Sequence, residues 1–259
     1  MAKIRASNTD HQTVQLYEVI RITDGIPVFL EDHLDRLYHS ARLTGMDLLP
    51  GQVSLAGIIK NYVSSQKRKT GNIKLTFTFS NLTSKPQFEL NFIPHYYPTQ
   101  EDYANGVKVG LLYADRPIPH AKIQHADITD RVNKIILDSS LFEVLLVDSE
   151  GNITEGSRSN VFFIKNETLF SPPGKKVLQG ITRIKVLQIC ENEGIRVIES
   201  AIPANTTNQY EAAFLTGTSP KIISISSVEL VVYKRDHLLI IKLQNLYNQL
   251  IDDYLLGKG

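Results

Sequence analysis

The chain has 259 residues, of which 42% are hydrophobic and 21% are charged, values typical of a globular protein with a substantial buried core. Its formal net charge of +1 at pH 7 gives no bulk electrostatic reason to bind nucleic acid or a membrane surface, so we expect neither partner. The N-terminus lacks the apolar run of a signal peptide, and no stretch approaches the ~20 apolar residues of a membrane span, so we expect a cytoplasmic protein.

The first half of the chain predicts a hairpin, two helices and three further strands. Residues 14–22 alternate in polarity, and Asp24 and Gly25 form a turn signal that returns the chain along residues 26–30. The remaining predictions are helices over 31–45 and 53–65, and strands over 73–79, 88–93 and 107–113. We assign this α+β unit to a smaller N-terminal domain, residues 1–115.

Two prolines mark the boundary with the rest of the chain. Arg116 is followed by Pro117 and Pro119, which oppose a regular helix, so we assign residues 116–121 to an interdomain linker. A larger C-terminal α/β domain, residues 122–259, follows. It is predicted to contain helices over 127–141, from an N-cap at Thr182 to near Gly194, and over 238–256, with short strands over 142–147, 160–164, 168–170, 195–198, 212–215 and 222–225. Strands this short in irregular order disfavour a doubly wound sheet.

The residues most informative about chemistry lie in two segments of this second half. A carboxylate can pair with a cationic ring, and a helix N-terminus can bind an anion, so together they suit a phosphorylated aromatic cofactor. No glycine-rich dinucleotide or phosphate loop is present, and no Cys or His pair has metal-ligand spacing, so we predict no metal site. The pattern consists of Glu155, Ser157, Asn160, Val161 and Phe162, followed by Leu178, Gly180, Ile181 and Arg183.

This spacing resembles the signature of the fold-type IV pyridoxal-phosphate enzymes, the class IV aminotransferases. That family includes branched-chain and D-amino acid aminotransferases and aminodeoxychorismate lyase. The resemblance runs from about residue 16 to residue 228 and includes the opening segment from Leu16 to Ala41. It implies the two-domain α+β architecture of the D-amino acid aminotransferases, pyridoxal 5′-phosphate as cofactor, and a homodimer.

The resemblance also implies roles for individual residues. A family lysine that binds the cofactor covalently precedes the glutamate, and a gapless count back from residues 142–151 identifies it as Lys122. The family's nearby Asn is His125 here, and the rival Lys134 is interpreted as a surface charge of a helix. By resemblance, Glu155 pairs with the ring nitrogen. The other implied cofactor-binding residues are Arg36, Asn160, Ile181, Thr182 and Thr218.

The substrate side departs from the family pattern. An arginine-bearing strand end, often Arg-Gly, is replaced by residues 74–80, which begin with Lys74. Arg116 is our hypothesis for the missing cation, and Tyr17 and His120 are further candidates for substrate binding. The resemblance predicts transfer of an amino group between an amino acid, branched-chain or similar, and a 2-oxo acid. Two alternatives stay open: an aminodeoxychorismate lyase, and a scaffold that binds pyridoxal phosphate without turnover.

Overall fold

The protein is described by a computed structural model covering residues 13–81, 84–94 and 97–258. Within these ranges no helix combines the length and the apolar composition needed to cross a membrane. Residues 1–12, on which the predicted cytoplasmic location partly rests, lie outside the described ranges. The chain forms a mixed α+β fold around two separate β-sheets, as predicted.

The first sheet consists of four antiparallel strands, which are β1 (Val14–Thr23), β2 (Ile26–Pro27), β3 (Gly71–Phe79) and β4 (Gln87–Ile93), in the spatial order β2-β1-β3-β4. Two helices, α1 (Leu30–Thr44) and α2 (Gln52–Ser65), pack on it. Alternation along β1 buries Leu16 and Ile20 in this core and turns Tyr17 and Val19 to the other face, toward the second half of the molecule.

The second sheet is larger and mixed in strand direction. Its strands are β5 (Val107–Tyr113), β6 (Glu143–Val147), β7 (Asn152–Gly156), β8 (Asn160–Lys165), β9 (Thr168–Ser171), β10 (Val197–Glu199), β11 (Ile202–Pro203), β12 (Ala212–Gly217), β13 (Lys221–Val228) and β14 (Val231–Val232). They lie in the order β10-β9-β8-β12-β13-β5-β6-β7-β11, with β14 paired to β13. The remaining helices are α3 (Gln100–Asn105), α4 (Ala126–Ser139), α5 (Ile181–Asn192) and α6 (Leu238–Leu256).

The middle of the second sheet buries apolar side chains on both faces. Phe162 of β8 and Phe214 of β12 stack at 5.0 Å between ring centroids, in the core shared with α5 and α6. Val161 and Leu215 project to the opposite face, into a second cluster. Cys190 of α5 is buried, and burial raises the pKa of its thiol to about 11.

Four features of the elements were not predicted or differ from their predicted positions. The second strand of the hairpin ends at Pro27, because Phe29 adopts a left-handed φ of 53° and Leu30 already begins α1. Strand β5 belongs to the second sheet, where it pairs with β13 and β6. Helix α3, which we did not predict, is too short for a periodic signal and starts with a Thr99–Asp102 capping box. Helix α5 begins at Ile181 with Gly180 as N-cap, so Thr182 lies inside the first turn.

The two sheets meet along β1. Residues 122–124 run antiparallel beside this strand: the Tyr17 N–H donates to the Lys122 carbonyl at 3.2 Å, and the Gln124 N–H donates to the Gln15 carbonyl at 3.1 Å. Further along β1, the Arg21 guanidinium donates to the Ser219 carbonyl at 2.6 Å. These contacts join the segment after the predicted linker to the first sheet. The division into domains 1–115 and 122–259 stays a prediction. The chain passes from the first sheet to the second between β4 and β5, before the predicted boundary.

Candidate active site

A cavity between the two sheets brings together most of the predicted site residues. Its walls come from β1, α1, the segment after the predicted linker, the ends of β7, β8 and β12, and the first turn of α5. His120 lies in the turn before Lys122 and is not among the described residues that line the cavity. The predicted residues that do line it are Tyr17, Arg36, Arg116, Lys122, Glu155, Asn160, Ile181, Thr182 and Thr218.

Lys122 is positioned by its backbone. Its N–H donates to the Ser40 hydroxyl of α1 at 3.0 Å, and its carbonyl accepts from Tyr17 of β1, so two elements hold it. Burial lowers the pKa of the Lys122 amine, and the Arg36 and Arg116 cations act in the same direction. A lysine in such surroundings carries more of the neutral, nucleophilic amine than an exposed one. The rival Lys134 is exposed on α4.

The Tyr17 ring is the nearest described aromatic contact of this amine. The Lys122 Nζ lies 4.7 Å from the ring centroid. The positive charge of Lys122 lowers the pKa of the Tyr17 phenol, against the effect of burial. The Lys74 Nζ of β3 lies 5.0 Å from the same ring and also donates to the Gln124 side chain at 2.9 Å. The amines of Lys74 and Lys122 therefore both lie near the same Tyr17 ring.

Glu155 lies near the end of β7, almost fully buried, and accepts three hydrogen bonds. Its Oε1 accepts from Arg116 at 2.9 Å, and its Oε2 accepts from the Leu178 N–H at 3.0 Å and from Asn160 at 3.4 Å. Burial raises the pKa of the Glu155 carboxyl, and Arg116 opposes that rise. Glu155 lies one residue before the end of β7, a strand that was not among the predicted ranges.

Arg116 therefore lies on the same side of the cavity as the Glu155 carboxylate. One terminal nitrogen donates to Glu155, and the other donates to the Ser157 carbonyl at 2.6 Å. The Nε atom is buried without a partner among the described residues. With both terminal nitrogens engaged, the guanidinium is held against the protein, and its predicted role in binding a substrate carboxylate stays a prediction.

A second buried acid shapes the loop between Glu155 and Asn160. The Glu143 carboxylate accepts from the hydroxyls of Ser157 at 2.6 Å and Ser159 at 3.0 Å, and from the Arg158 N–H at 3.2 Å. A Cβ at Gly156 would overlap the Ser159 hydroxyl, so a larger residue there would displace the hydroxyl that Glu143 binds. Glu143 thus holds the connection that places Glu155 and Asn160 on adjoining strand ends.

Helix α5 directs its first turn into the cavity. The N–H groups of Ile181 and Thr182 belong to the first turn and have no partner within the helix, which makes this terminus a site for an anion. A Cβ at Gly180 would overlap the Asn160 side chain, so glycine permits the close approach of helix and strand. The Thr182 hydroxyl lies 3.2 Å from that of Tyr247 on α6. The Thr218 hydroxyl donates to the Val19 carbonyl at 3.4 Å.

Arg36 supplies positive charge near this helix terminus and is itself held by an acid. The buried Glu18 carboxylate accepts two hydrogen bonds from Arg36, at 2.8 and 2.6 Å, and His33 Nδ1 lies 2.8 Å from it. Although burial alone would raise the pKa of Glu18, Arg36 and His33 lower it to about 2. The remaining Arg36 nitrogen donates to the Gln179 carbonyl at 3.2 Å, beside the start of α5.

Besides Arg116 Nε, a hydroxyl on the cavity wall has no partner among the described residues. The Thr216 hydroxyl at the end of β12 is buried and makes no hydrogen bond. Leaving a buried hydroxyl unsatisfied costs about 1–3 kcal/mol, so its partner is expected to be a molecule in the cavity. Neither Thr216 nor Lys74 was singled out as a site residue from the sequence. The sequence did contain a signal for Lys74, because this lysine lies on the strand where the family usually has an arginine.

The residues of the cavity fit pyridoxal phosphate. An anion site at α5 beside Arg36 suits the phosphate, the buried Glu155 suits a cationic ring nitrogen, and Lys122 suits a carbonyl carbon. The unsatisfied Thr216 hydroxyl adds a donor for an acceptor-rich molecule. An α+β fold with this set of donors around one cavity is characteristic of a pyridoxal-phosphate enzyme.

Comparisons with known proteins agree with this class. The model of the family "Amino-transferase class IV" matches residues 15–228. A D-alanine aminotransferase of Bacillus licheniformis is 30% identical over 224 residues, which are 83% of this chain and 78% of that protein. The chain therefore belongs to the class IV aminotransferase family and is a pyridoxal-phosphate-dependent enzyme.

Two solved structures share the fold. The 4-amino-4-deoxychorismate lyase from Pseudomonas aeruginosa superposes with a TM-score of 0.81 at 18% identity, covering 95% of this chain and 96% of that chain. The branched-chain amino acid aminotransferase from Escherichia coli superposes with a TM-score of 0.81 at 19% identity, covering 93% of this chain and 85% of that chain. At these identities the likeness establishes the fold alone, and the fold is common to a transferase and a lyase.

Proposed function

We propose that this protein transfers an amino group between an amino acid and a 2-oxo acid. The observation that carries the proposal is the single cavity in which Lys122, Glu155 and the first turn of α5 converge. The name of the Bacillus licheniformis relative, D-alanine aminotransferase, supports the reaction class. When bound, pyridoxal phosphate supplies an electron-accepting ring that stabilises negative charge at the substrate α-carbon.

Each residue of the cavity has a distinct part in this proposal. Lys122 would hold the cofactor covalently until the amino substrate displaces it, and the freed amine would then move a proton at the substrate α-carbon, a task that its lowered pKa favours. Glu155, oriented by Arg116 and Asn160, keeps the ring nitrogen protonated. Arg36, Thr218 and the N–H groups of Ile181 and Thr182 bind the phosphate.

The reaction is tested with the purified protein loaded with pyridoxal phosphate. We expect a visible absorption band that a suitable L- or D-amino acid bleaches and that a 2-oxo acid restores. Pyruvate release from aminodeoxychorismate, without that restoration, would identify a lyase instead. Cofactor binding without either reaction would favour the non-catalytic scaffold.

We further propose that Lys74 contributes the positive charge for a substrate carboxylate. It lines an opening beside the cavity together with Arg116 and Arg158, and none of the described residues around that opening is acidic. The apolar side chains of Ile128 and Val132 form part of the same wall. A cationic and partly apolar opening suits an amino acid or 2-oxo acid with an apolar side chain.

Replacing Lys74 with methionine should therefore raise KM for amino donors by about tenfold or more, the loss expected for one hydrogen bond to a charged group, with little change in kcat. Steady-state kinetics over a donor panel measure this. Lys60→Met, at an exposed position on α2, serves as the control. A raised KM in Arg116→Ala but not in Lys74→Met would return the role to Arg116, and an Arg116→Ala variant with unchanged KM for every donor would remove Arg116 from it.

The homodimer and the cytoplasmic location also belong to this proposal. Support for the dimer comes from family membership. Support for the cytoplasm comes from family membership. Elution volume with light scattering measures the first, and cell fractionation the second.

A further inference from the structure

Strand alternation places Thr216 on the face of the second sheet that carries the Phe162–Phe214 stack. Phe214 precedes Thr216 by two residues on β12, and Phe162 follows Asn160 by two residues on β8, so all four side chains share one face. Thr216 and Asn160 are direct partners in the register of the two strands. The shared face carries apolar side chains packed under α5 and α6, and it presents this polar pair where it reaches the cavity.

The two polar side chains of the pair differ in whether they have hydrogen-bond partners within the described residues. The Asn160 amide donates to the Leu178 carbonyl at 2.9 Å and to Glu155 at 3.4 Å, so the protein itself uses it. The Thr216 hydroxyl belongs to a residue that is only 1% exposed and has no partner among the described residues. A valine would fill the same space without an unsatisfied atom, so the fold alone gives no reason for a hydroxyl at this position.

We infer that Thr216 is a cofactor-binding residue whose hydroxyl donates a hydrogen bond to an acceptor oxygen of the bound pyridoxal phosphate, an inference that rests on the proposed function. The phosphate and phenolic oxygens of that cofactor are hydrogen-bond acceptors, and a threonine hydroxyl carries one donor. Thr216 is thereby assigned a role in addition to that of Thr218, whose hydroxyl already donates to the Val19 carbonyl.

The test separates a hydroxyl directed at the ligand from one that supports the fold. Thr216→Val removes the hydroxyl and keeps the volume, and Thr216→Ser keeps the hydroxyl. Thr207→Val is the matched control, because Thr207 is also buried but its hydroxyl donates to the Ala204 carbonyl at 3.3 Å, away from the cavity. For each apoprotein, calorimetry measures the Kd for pyridoxal phosphate and thermal unfolding measures Tm.

In Thr216→Val we expect Kd to rise about tenfold, the effect of one hydrogen bond to a charged acceptor, while the Tm of the apoprotein is unchanged or higher. Thr216→Ser should bind nearly as tightly as the wild type. Thr207→Val should show the reverse pattern, a lower Tm with an unchanged Kd. If Thr216→Val fails to fold, the Kd of Thr216→Ala replaces it, with the same expected rise.

Three outcomes would overturn the inference. A Thr216→Val protein that binds pyridoxal phosphate as tightly as the wild type would show that the hydroxyl makes no contact with it. A lower apoprotein Tm in Thr216→Val, with unchanged Kd, would assign the hydroxyl to the fold. Absence of binding in the wild type would overturn the proposed function itself, and the inference with it.

Discussion

Replacing Lys122 with alanine is expected to abolish covalent attachment of pyridoxal phosphate and to lower turnover by about 10²–10⁴-fold, the contribution of a positioned acid–base group. The fold should survive, because the contacts that position Lys122 involve its backbone N–H and carbonyl, with Ser40 and Tyr17. Borohydride treatment of the loaded wild type, followed by peptide mapping, should locate the reduced cofactor on Lys122. The visible band of the wild type should be altered in the variant.

Lys134→Ala is the matched control for this prediction. Lys134 is exposed on α4 and lies outside the cavity, so its loss should leave cofactor attachment and turnover unchanged. A reduced cofactor found on Lys134, or on no lysine at all, would contradict the assignment. Retention of wild-type turnover in Lys122→Ala would contradict it equally.

Replacing Glu155 with glutamine should lower turnover by about 10²–10³-fold, the usual effect of removing one electrostatic contact to developing charge. An amide carries no negative charge and so cannot hold the ring nitrogen in its protonated form. Glutamine keeps the shape, so the Leu178 N–H retains an acceptor oxygen within reach. The spectrum of the bound cofactor should change together with the loss of turnover, because both follow from the protonation of the ring.

Loss of the ion pair between Glu155 and Arg116 must be separated from this effect. The Tm of the loaded variant reports the structural cost, and Glu199→Gln breaks another ion pair, with Arg183, outside the cavity. Glu199→Gln should keep wild-type turnover and spectrum. Normal turnover in Glu155→Gln, or an unchanged cofactor spectrum, would show that Glu155 does not control the ring nitrogen.

The fold was largely predictable where local patterns carry the information. Helix α6 spans the predicted residues 238–256, and strands β1, β3 and β4 lie within one or two residues of their predicted ranges, because periodicity reports which face of an element is buried. The N-cap of α5 lies two residues before the predicted one, since a Thr near a helix start predicts a cap but Gly180 takes that position. No sheet was predicted for strand β5, because its sequence is compatible with either.

The candidate site was predictable to a similar extent. The spacing of Glu155, Asn160 and Gly180 and the gapless count to Lys122 selected residues that line one cavity. Their chemical roles stay predictions that the variants above test. What spacing did not contain was the partner of each charge, such as Glu18 for Arg36 or Glu155 for Arg116. Partners of this kind are far apart in the chain, so local patterns do not report them.

The sequence by itself therefore determined the class of fold, the family resemblance and most of the residues that line the cavity, because these depend on spacing within short segments. Only the tertiary structure decided that Lys74 lies beside the Tyr17 ring and that Thr216 pairs with Asn160 at the edge of the cavity. Both facts follow from the order and register of strands. Those are set by packing between distant segments, and a single strand sequence is compatible with several neighbours.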